Sequence, residues 1–105
     1  MADTLAERRV HLDPGALHDF CRHNHVRRLS LYGSVLRPDF RPDSDVDVMV
    51  EFEPGHTPGL FQLGGMLLDL QELIGRDVDL KTPGDFPERL RGGVLATAQT
   101  LYAAD

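Results

Sequence analysis

The segment 45–52 constrains the fold more than any other part of the chain. It reads Asp-Val-Asp-Val-Met-Val-Glu-Phe, an alternation of polar and apolar residues at its start. Successive side chains of a β-strand point to opposite faces, so this pattern predicts a strand with one buried face. The valines would enter a core, while Asp45 and Asp47 would project together from the other face, roughly 6.5–7 Å apart. The chain must therefore build a sheet around this strand.

Helical and strand patterns alternate along the rest of the sequence. Apolar residues at helical spacing predict helices over about 13–24, 58–74 and 86–96, and strand patterns cover about 26–32, 77–81 and 100–103. Asp13-Pro14 has the form of an N-cap followed by proline at the first helical position. We therefore expect an α+β fold, with a small mixed sheet of about four strands and helices packed on one face.

Length and composition limit the class of protein. The 105 residues fit one domain, 1–105, in which we expect residues 1–11 to be flexible or loosely packed. The lone cysteine, Cys21, fits a reducing compartment, and neither a signal peptide nor an apolar run of membrane-spanning length is present. These features predict a cytoplasmic protein with no membrane partner. The net charge of −6 makes nucleic acid an unfavoured direct ligand.

A third aspartate completes a candidate metal site. The strand 77–81 repeats the alternation of the first, so that Asp79 would approach Asp45 and Asp47 if the two strands are neighbours. Three adjacent carboxylates repel one another, and a divalent cation with oxygen ligands relieves that repulsion. Mg²⁺ is commonly held by one or two carboxylates together with substrate phosphates, and a pair of such ions supports phosphoryl displacement. The pattern therefore indicates two Mg²⁺ ions and a nucleoside triphosphate.

Gly33-Ser34, at the end of the strand 26–32, fits the same substrate. Glycine lets backbone N–H groups approach a phosphate closely, and a strand-to-helix turn would add a helix N-terminus. Ser34 offers a hydroxyl donor, and Arg37 is a candidate for binding phosphate charge. A plain turn and a surface arginine are the structural alternatives for these residues.

These residues together resemble a known family. Gly33-Ser34, ten further residues, Asp45-x-Asp47 and an aspartate on a later strand are similar to the nucleotidyltransferase superfamily that includes DNA polymerase β. The stretches 31–37 and 44–50 most resemble the minimal nucleotidyltransferase (MNT) antitoxins, which are usually encoded beside a HEPN-domain toxin. The resemblance extends from about residue 13 to residue 102. It differs at Leu36-Arg37-Pro38, where relatives often carry Ala-Arg-Gly, and proline removes one N–H from this loop.

The resemblance implies a polymerase β palm-like fold and a chemistry. Asp45 and Asp47 would bind Mg²⁺, and Asp79 would complete the metal site and orient or deprotonate the attacking hydroxyl. Gly33 and Ser34 would hold the triphosphate of ATP. Such proteins transfer AMP to a tyrosine of the HEPN partner and thereby silence its ribonuclease. The alternative is an antitoxin that neutralises its partner by binding alone, and a small-molecule or RNA acceptor is a weaker third reading.

Other features have structural explanations beside functional ones. The aspartates could lie on a solvated strand face, although aspartate is depleted in strands. His18, His23 and His25 with Cys21 could suggest zinc, but no fourth ligand stands at structural-zinc spacing. The apolar stripe from Leu60 to Ile74 is core by default, and its width gives a weak indication of a protein interface. Three arginines at 22, 27 and 28 could contact RNA or an acidic partner, or could simply be solvated.

Overall fold

The computed structural model describes residues 10, 12–38, 40–41 and 43–104. Its elements are helix α1 (Pro14–His23), strand β1 (Val26–Tyr32), strand β2 (Val46–Phe52), helix α2 (Leu60–Ile74), strand β3 (Val78–Lys81), helix α3 (Glu88–Thr97) and strand β4 (Gln99–Ala103), with 3₁₀ turns at Gly33–Leu36 and Pro83–Asp85. The predicted α+β class is confirmed. The expectation for residues 1–11 lies outside the described residues, apart from Val10, which is buried.

Local chemistry explains where the first two helices begin and end. Asp13 accepts a hydrogen bond from the N–H of Ala16 at 3.3 Å and so caps α1, with Pro14 at its first turn. Helix α2 ends at Gly75, whose φ of +77° lies in the left-handed region that favours glycine. The N–H of Gly75 donates to the carbonyl of Gln71 at 2.8 Å, which satisfies a carbonyl at the helix end. Both helices therefore match their sequence signals closely.

The four strands lie in the order β3-β2-β1-β4. Strand β1 runs antiparallel to both β2 and β4, whereas β2 and β3 are parallel. A parallel pair needs a long crossover, and the segment that contains α2 provides it. In this register Tyr32 pairs with Asp47, and Asp47 pairs with Asp79. The sheet therefore aligns these three residues in one row across three neighbouring strands.

The core lies between one face of the sheet and the helices α1 and α2. It is built from valines and leucines of the strands, from apolar residues of both helices, and from Val10 and Val35 outside them. The full set is Val10, Leu17, Cys21, Val26, Leu29, Leu31, Val35, Val46, Val48, Val50, Met66, Leu70, Ile74 and Val78. The prediction that helices pack on one face is thus confirmed for α1 and α2. Of the helices in the described part of the chain, none combines the length and apolar character that a bilayer span requires.

Candidate active site

The turn after β1 is docked against the start of β2. The N–H of Ser34 donates to the carboxylate Oδ2 of Asp47 at 3.3 Å, and the Ser34 hydroxyl lies 3.5 Å from the carbonyl oxygen of Asp45. Gly33 adopts a φ of +74°. A Cβ atom at Gly33 would overlap the Asp47 Oδ2 atom and would lie 3.1 Å from its Cγ atom. Glycine is therefore required both by the backbone conformation and by the closeness of the Asp47 carboxylate.

The turn is a single 3₁₀ turn rather than the start of an α-helix. It covers Gly33–Leu36 and ends where the N–H of Arg37 donates to the carbonyl of Ser34 at 3.0 Å. The expected helix N-terminus is therefore short, and the N–H groups of a tight turn take its place. The four residues of this turn connect β1 to the loop 37–45.

Asp47 lies at the electrostatic centre of the site. Burial raises the pKa of Asp47 above its ordinary value, and the charges of Asp79 and Asp45 raise it further. The Ser34 N–H and the positive charge of Arg37 act in the opposite direction and lower it. The structure thus brings the residues predicted from the sequence into mutual contact or electrostatic range around one half-buried carboxylate.

The ring of Tyr32, the residue that pairs with Asp47, packs against the ring of Phe86. The sequence interpretation assigned no role to either residue. Their rings are 5.4 Å apart and nearly perpendicular, at 79°. Burial raises the pKa of Tyr32 well above its ordinary value, with smaller contributions from Asp47, Asp79 and Asp85. The position of Tyr32 immediately before Gly33 was the available sequence signal.

Lys81 is a second residue that the sequence interpretation missed. Its Nζ atom lies 3.4 Å from Asp79 Oδ1, and both side chains are about two-fifths exposed. It is the one lysine in the chain and stands two residues after Asp79, so the alternation of a strand places both on the same face. That spacing was sufficient to predict the pair.

The donor set fits magnesium. Carboxylate oxygens are hard ligands, and the charges of Asp79 and Asp45 act on the half-buried carboxyl group of Asp47. Among the described residues, no group of three or more His, Cys, Asp or Glu side chains is already gathered at metal-binding distances. In the structure, the three aspartates therefore do not by themselves form a complete set of metal ligands.

The histidines near the end of α1 are arranged differently from a zinc site. The ring of His25 stacks on the ring of His56, with 4.0 Å between centroids, and its Nδ1 atom lies 3.5 Å from Glu53. His18 instead contacts Tyr102 edge-on at 5.9 Å, and Cys21 is fully buried. These side chains are therefore engaged in separate contacts.

Comparison with known proteins agrees with the fold. The sequence model described as a nucleotidyltransferase domain matches residues 15–99. A Methanocaldococcus jannaschii protein, provisionally named a protein adenylyltransferase, is 33% identical over 73 residues, which cover 70% of this chain and 76% of the relative. The chain therefore belongs to the nucleotidyltransferase domain family.

Solved structures place the chain within that family. A structure provisionally described as a minimal nucleotidyltransferase is 34% identical, has a TM-score of 0.63, and is matched over 84% of this chain and 95% of its own. A tri-AMPylated Shewanella oneidensis HEPN toxin in complex with an MNT antitoxin gives a TM-score of 0.60 at 19% identity, with 87% of this chain and 70% of the other covered. This second likeness shows the fold alone. The chain is accordingly an MNT-type nucleotidyltransferase, as its sequence motifs predicted.

Proposed function

We propose that this protein is a Mg²⁺-dependent protein adenylyltransferase that transfers AMP from ATP to a hydroxyl group of a HEPN toxin and so acts as its antitoxin. The observation that carries the proposal is the pairing of Asp47 with Asp79 on parallel strands, directly beside the docked turn at Gly33-Ser34. This arrangement puts carboxylates and phosphate-binding N–H groups at one edge of the sheet. Membership of a family with protein adenylyltransferases supports the reaction type.

In this proposal each residue has a separate task. Asp45, Asp47 and Asp79 hold two Mg²⁺ ions, which when bound neutralise charge on the triphosphate. The open backbone at Gly33 and the N–H and hydroxyl of Ser34 bind the phosphates, and Arg37 contributes positive charge near them. Asp79 orients the acceptor hydroxyl and accepts its proton.

The bond changes follow from that placement. The acceptor oxygen forms a bond to the α-phosphorus, the bond from that phosphorus to the α–β bridging oxygen breaks, and pyrophosphate leaves. The hydroxyl proton passes to the Asp79 carboxylate. Catalysis then rests on positioning and charge neutralisation rather than on a covalent intermediate with the enzyme.

The proposed acceptor is a tyrosine of a HEPN-domain partner. One structural neighbour of this chain comes from a complex of an MNT antitoxin with a tri-AMPylated HEPN toxin, which supports a partner of the same kind. The buried, lone Cys21 is compatible with a reducing cytoplasm, where such a pair would act. The net charge of −6 favours a protein acceptor over a nucleic acid.

The experiment combines the purified protein with labelled ATP, Mg²⁺ and the HEPN protein encoded beside its gene. We expect the wild type to label the partner and Asp47→Asn to label it at less than about one hundredth of that rate, because a metal ligand is lost. Asp69→Asn, on the exposed surface of α2, is the matched control and should label normally. Equal labelling by the wild type and by Asp47→Asn would refute the proposal.

A growth assay separates catalysis from simple binding. Cells that express the toxin should be rescued by the wild-type chain and not by a variant that carries both Asp45→Asn and Asp47→Asn. Full rescue by that double variant would instead support an antitoxin that neutralises its partner by complex formation. Exposed apolar side chains on α2, Leu60, Phe61 and Leu68, offer a surface for such a contact.

A further inference from the structure

Arg76 joins the end of α2 to the loop that leads into β2. Its Nη2 atom donates to the carbonyl oxygen of Arg41 at 2.9 Å and to that of Ser44 at 2.8 Å. Its guanidinium carbon also lies 4.5 Å from the centre of the Phe40 ring, within the range of a cation–π contact. We call Arg76 with Phe40, Arg41 and Ser44 the loop clamp. One side chain thus fixes three successive points of the described loop.

The clamped part of the loop is already a bonded turn. The N–H of Ser44 donates to the carbonyl of Arg41 at 3.0 Å, and the N–H of Arg41 donates to the Ser44 hydroxyl at 3.2 Å. Arg76 therefore contacts a hydrogen-bonded turn rather than a segment without internal bonds. This turn ends one residue before Asp45.

Asp45 depends on that loop more than the other two aspartates do. Asp47 and Asp79 lie inside β2 and β3, where the register of the sheet fixes their positions. Asp45 precedes β2, which begins at Val46. The N–H of Val46 donates to the carbonyl of Asp77 at 2.9 Å, so the segment 76–77 fixes the chain on both sides of Asp45.

We propose that Arg76 is a positioning residue for metal binding, which acts by holding Asp45 in place through the loop clamp. The inference rests on the proposed function, since it takes Asp45 as a metal ligand. Groups that orient metal ligands typically change metal affinity by about 10–100-fold when they are removed. Arg76→Ala should therefore weaken metal binding by about that factor.

The geometry of the arginine is needed as well as its charge. A planar guanidinium can stack on Phe40 while it donates to two carbonyls, whereas an ammonium group is a compact charge on a flexible stem. Arg76→Lys should therefore recover less than half of the lost affinity on a logarithmic scale. Full recovery by lysine would mean that positive charge alone accounts for the effect, which would overturn the clamp.

The test measures Mn²⁺ binding to the full chain by the loss of the free Mn²⁺ signal in electron paramagnetic resonance. Asp45→Asn is the reference for a lost ligand, Arg22→Ala controls for a lost exposed arginine, and Val50→Ala controls for general destabilisation of the core. We expect Arg76→Ala to weaken Mn²⁺ binding about 10–100-fold, and the two controls to stay within about threefold of the wild type. If Arg76→Ala does not fold, Arg76→Lys takes its place, with a smaller weakening expected.

The outcomes are distinguishable. If Asp45→Asn weakens binding and Arg76→Ala does not, the inference about Arg76 is wrong and the proposed metal site stands. If neither Asp45→Asn nor Asp47→Asn weakens binding, the proposed metal site itself is wrong. An AMP-transfer assay adds a second readout: Arg76→Ala should raise the Mg²⁺ concentration for half-maximal rate, while the rate at saturating Mg²⁺ stays within about threefold. If Arg76→Ala instead lowered the apparent Mg²⁺ affinity and the rate at saturating Mg²⁺ by the same factor, the role of Arg76 would be purely structural and the inference would be overturned.

Discussion

Replacement of Gly33 by alanine tests the contact on which the site is built. A left-handed backbone costs an L-residue about 1–2 kcal/mol, and Gly33 has a φ of +74°. The new Cβ atom would also overlap the Asp47 carboxylate, which must then turn away and lose its bond to the Ser34 N–H. A hydrogen bond to a charged group contributes about 1.5–3 kcal/mol. Because this bond is long, at 3.3 Å, we take the lower end, about 1.5 kcal/mol.

The expected loss for Gly33→Ala is therefore about 2.5–3.5 kcal/mol of unfolding free energy. Gly55→Ala is the matched control, because Gly55 has a φ of +81° and nothing within 4 Å of the position of a new Cβ atom. It should lose about 1–2 kcal/mol from the backbone term alone. The difference of about 1.5 kcal/mol corresponds to a melting temperature at least about 6 °C lower for Gly33→Ala.

Two measurements check this prediction. Thermal unfolding by circular dichroism compares the two variants, and AMP transfer should fall strongly in Gly33→Ala while Gly55→Ala stays close to the wild type. The domain should remain folded, since typical stabilities of 5–15 kcal/mol exceed the loss. Equal destabilisation by the two variants would show that the Asp47 carboxylate does not lie over Gly33, and the geometry of the site would be wrong.

Three further predictions concern the carboxylates, the cysteine and the core. Burial and the neighbouring charges raise the pKa of Asp47, so its contribution to stability is fully present below the unfolded pKa of about 4 and is lost as the pH rises through the higher folded pKa. Asp47→Asn should therefore raise the melting temperature of the metal-free protein at pH 7. A lower melting temperature for Asp47→Asn would contradict this prediction. Burial raises the pKa of Cys21 to about 12, so a thiol reagent at pH 8 should label it in urea and not in the native protein. In urea unfolding, Leu70→Ala should lower the free energy of unfolding by about 2–5 kcal/mol and Leu60→Ala, at an exposed position, by less than about 0.5 kcal/mol. Equal losses for the two variants would show that Leu70 does not lie in the core.

The sequence was sufficient to predict the elements because their signals are local. The Asp-Val alternation, the cap at Asp13-Pro14 and the glycine at 75 lie within or next to the elements they define. Element boundaries accordingly agree with the structure to within about two residues. The structure adds most to the sequence prediction at the start of β2, where Asp45 lies just before the strand and not inside it.

Strand order and side-chain contacts between distant segments were not predictable in the same way. The alternations around Asp47 and Asp79 predicted which residues share a face of each strand. They did not predict that the two strands are neighbours, which the sequence analysis had to assume. It depends on how α2 packs, because the crossover decides whether β3 joins the sheet beside β2. The clamp made by Arg76 joins residues more than thirty positions apart and has no periodic or compositional signal.

The three aspartates are held by two different parts of the structure, and this division has a consequence. Backbone pairing in the sheet fixes Asp47 and Asp79, so a change that displaces them must also disturb the core beneath β2 and β3. Asp45 is held outside the sheet, through the loop clamp, and its side chain is exposed. Substitutions in the loop clamp should therefore alter metal and nucleotide binding at little cost in stability, whereas truncation of a core side chain such as Val50 should lower stability while metal binding stays within about threefold of the wild type.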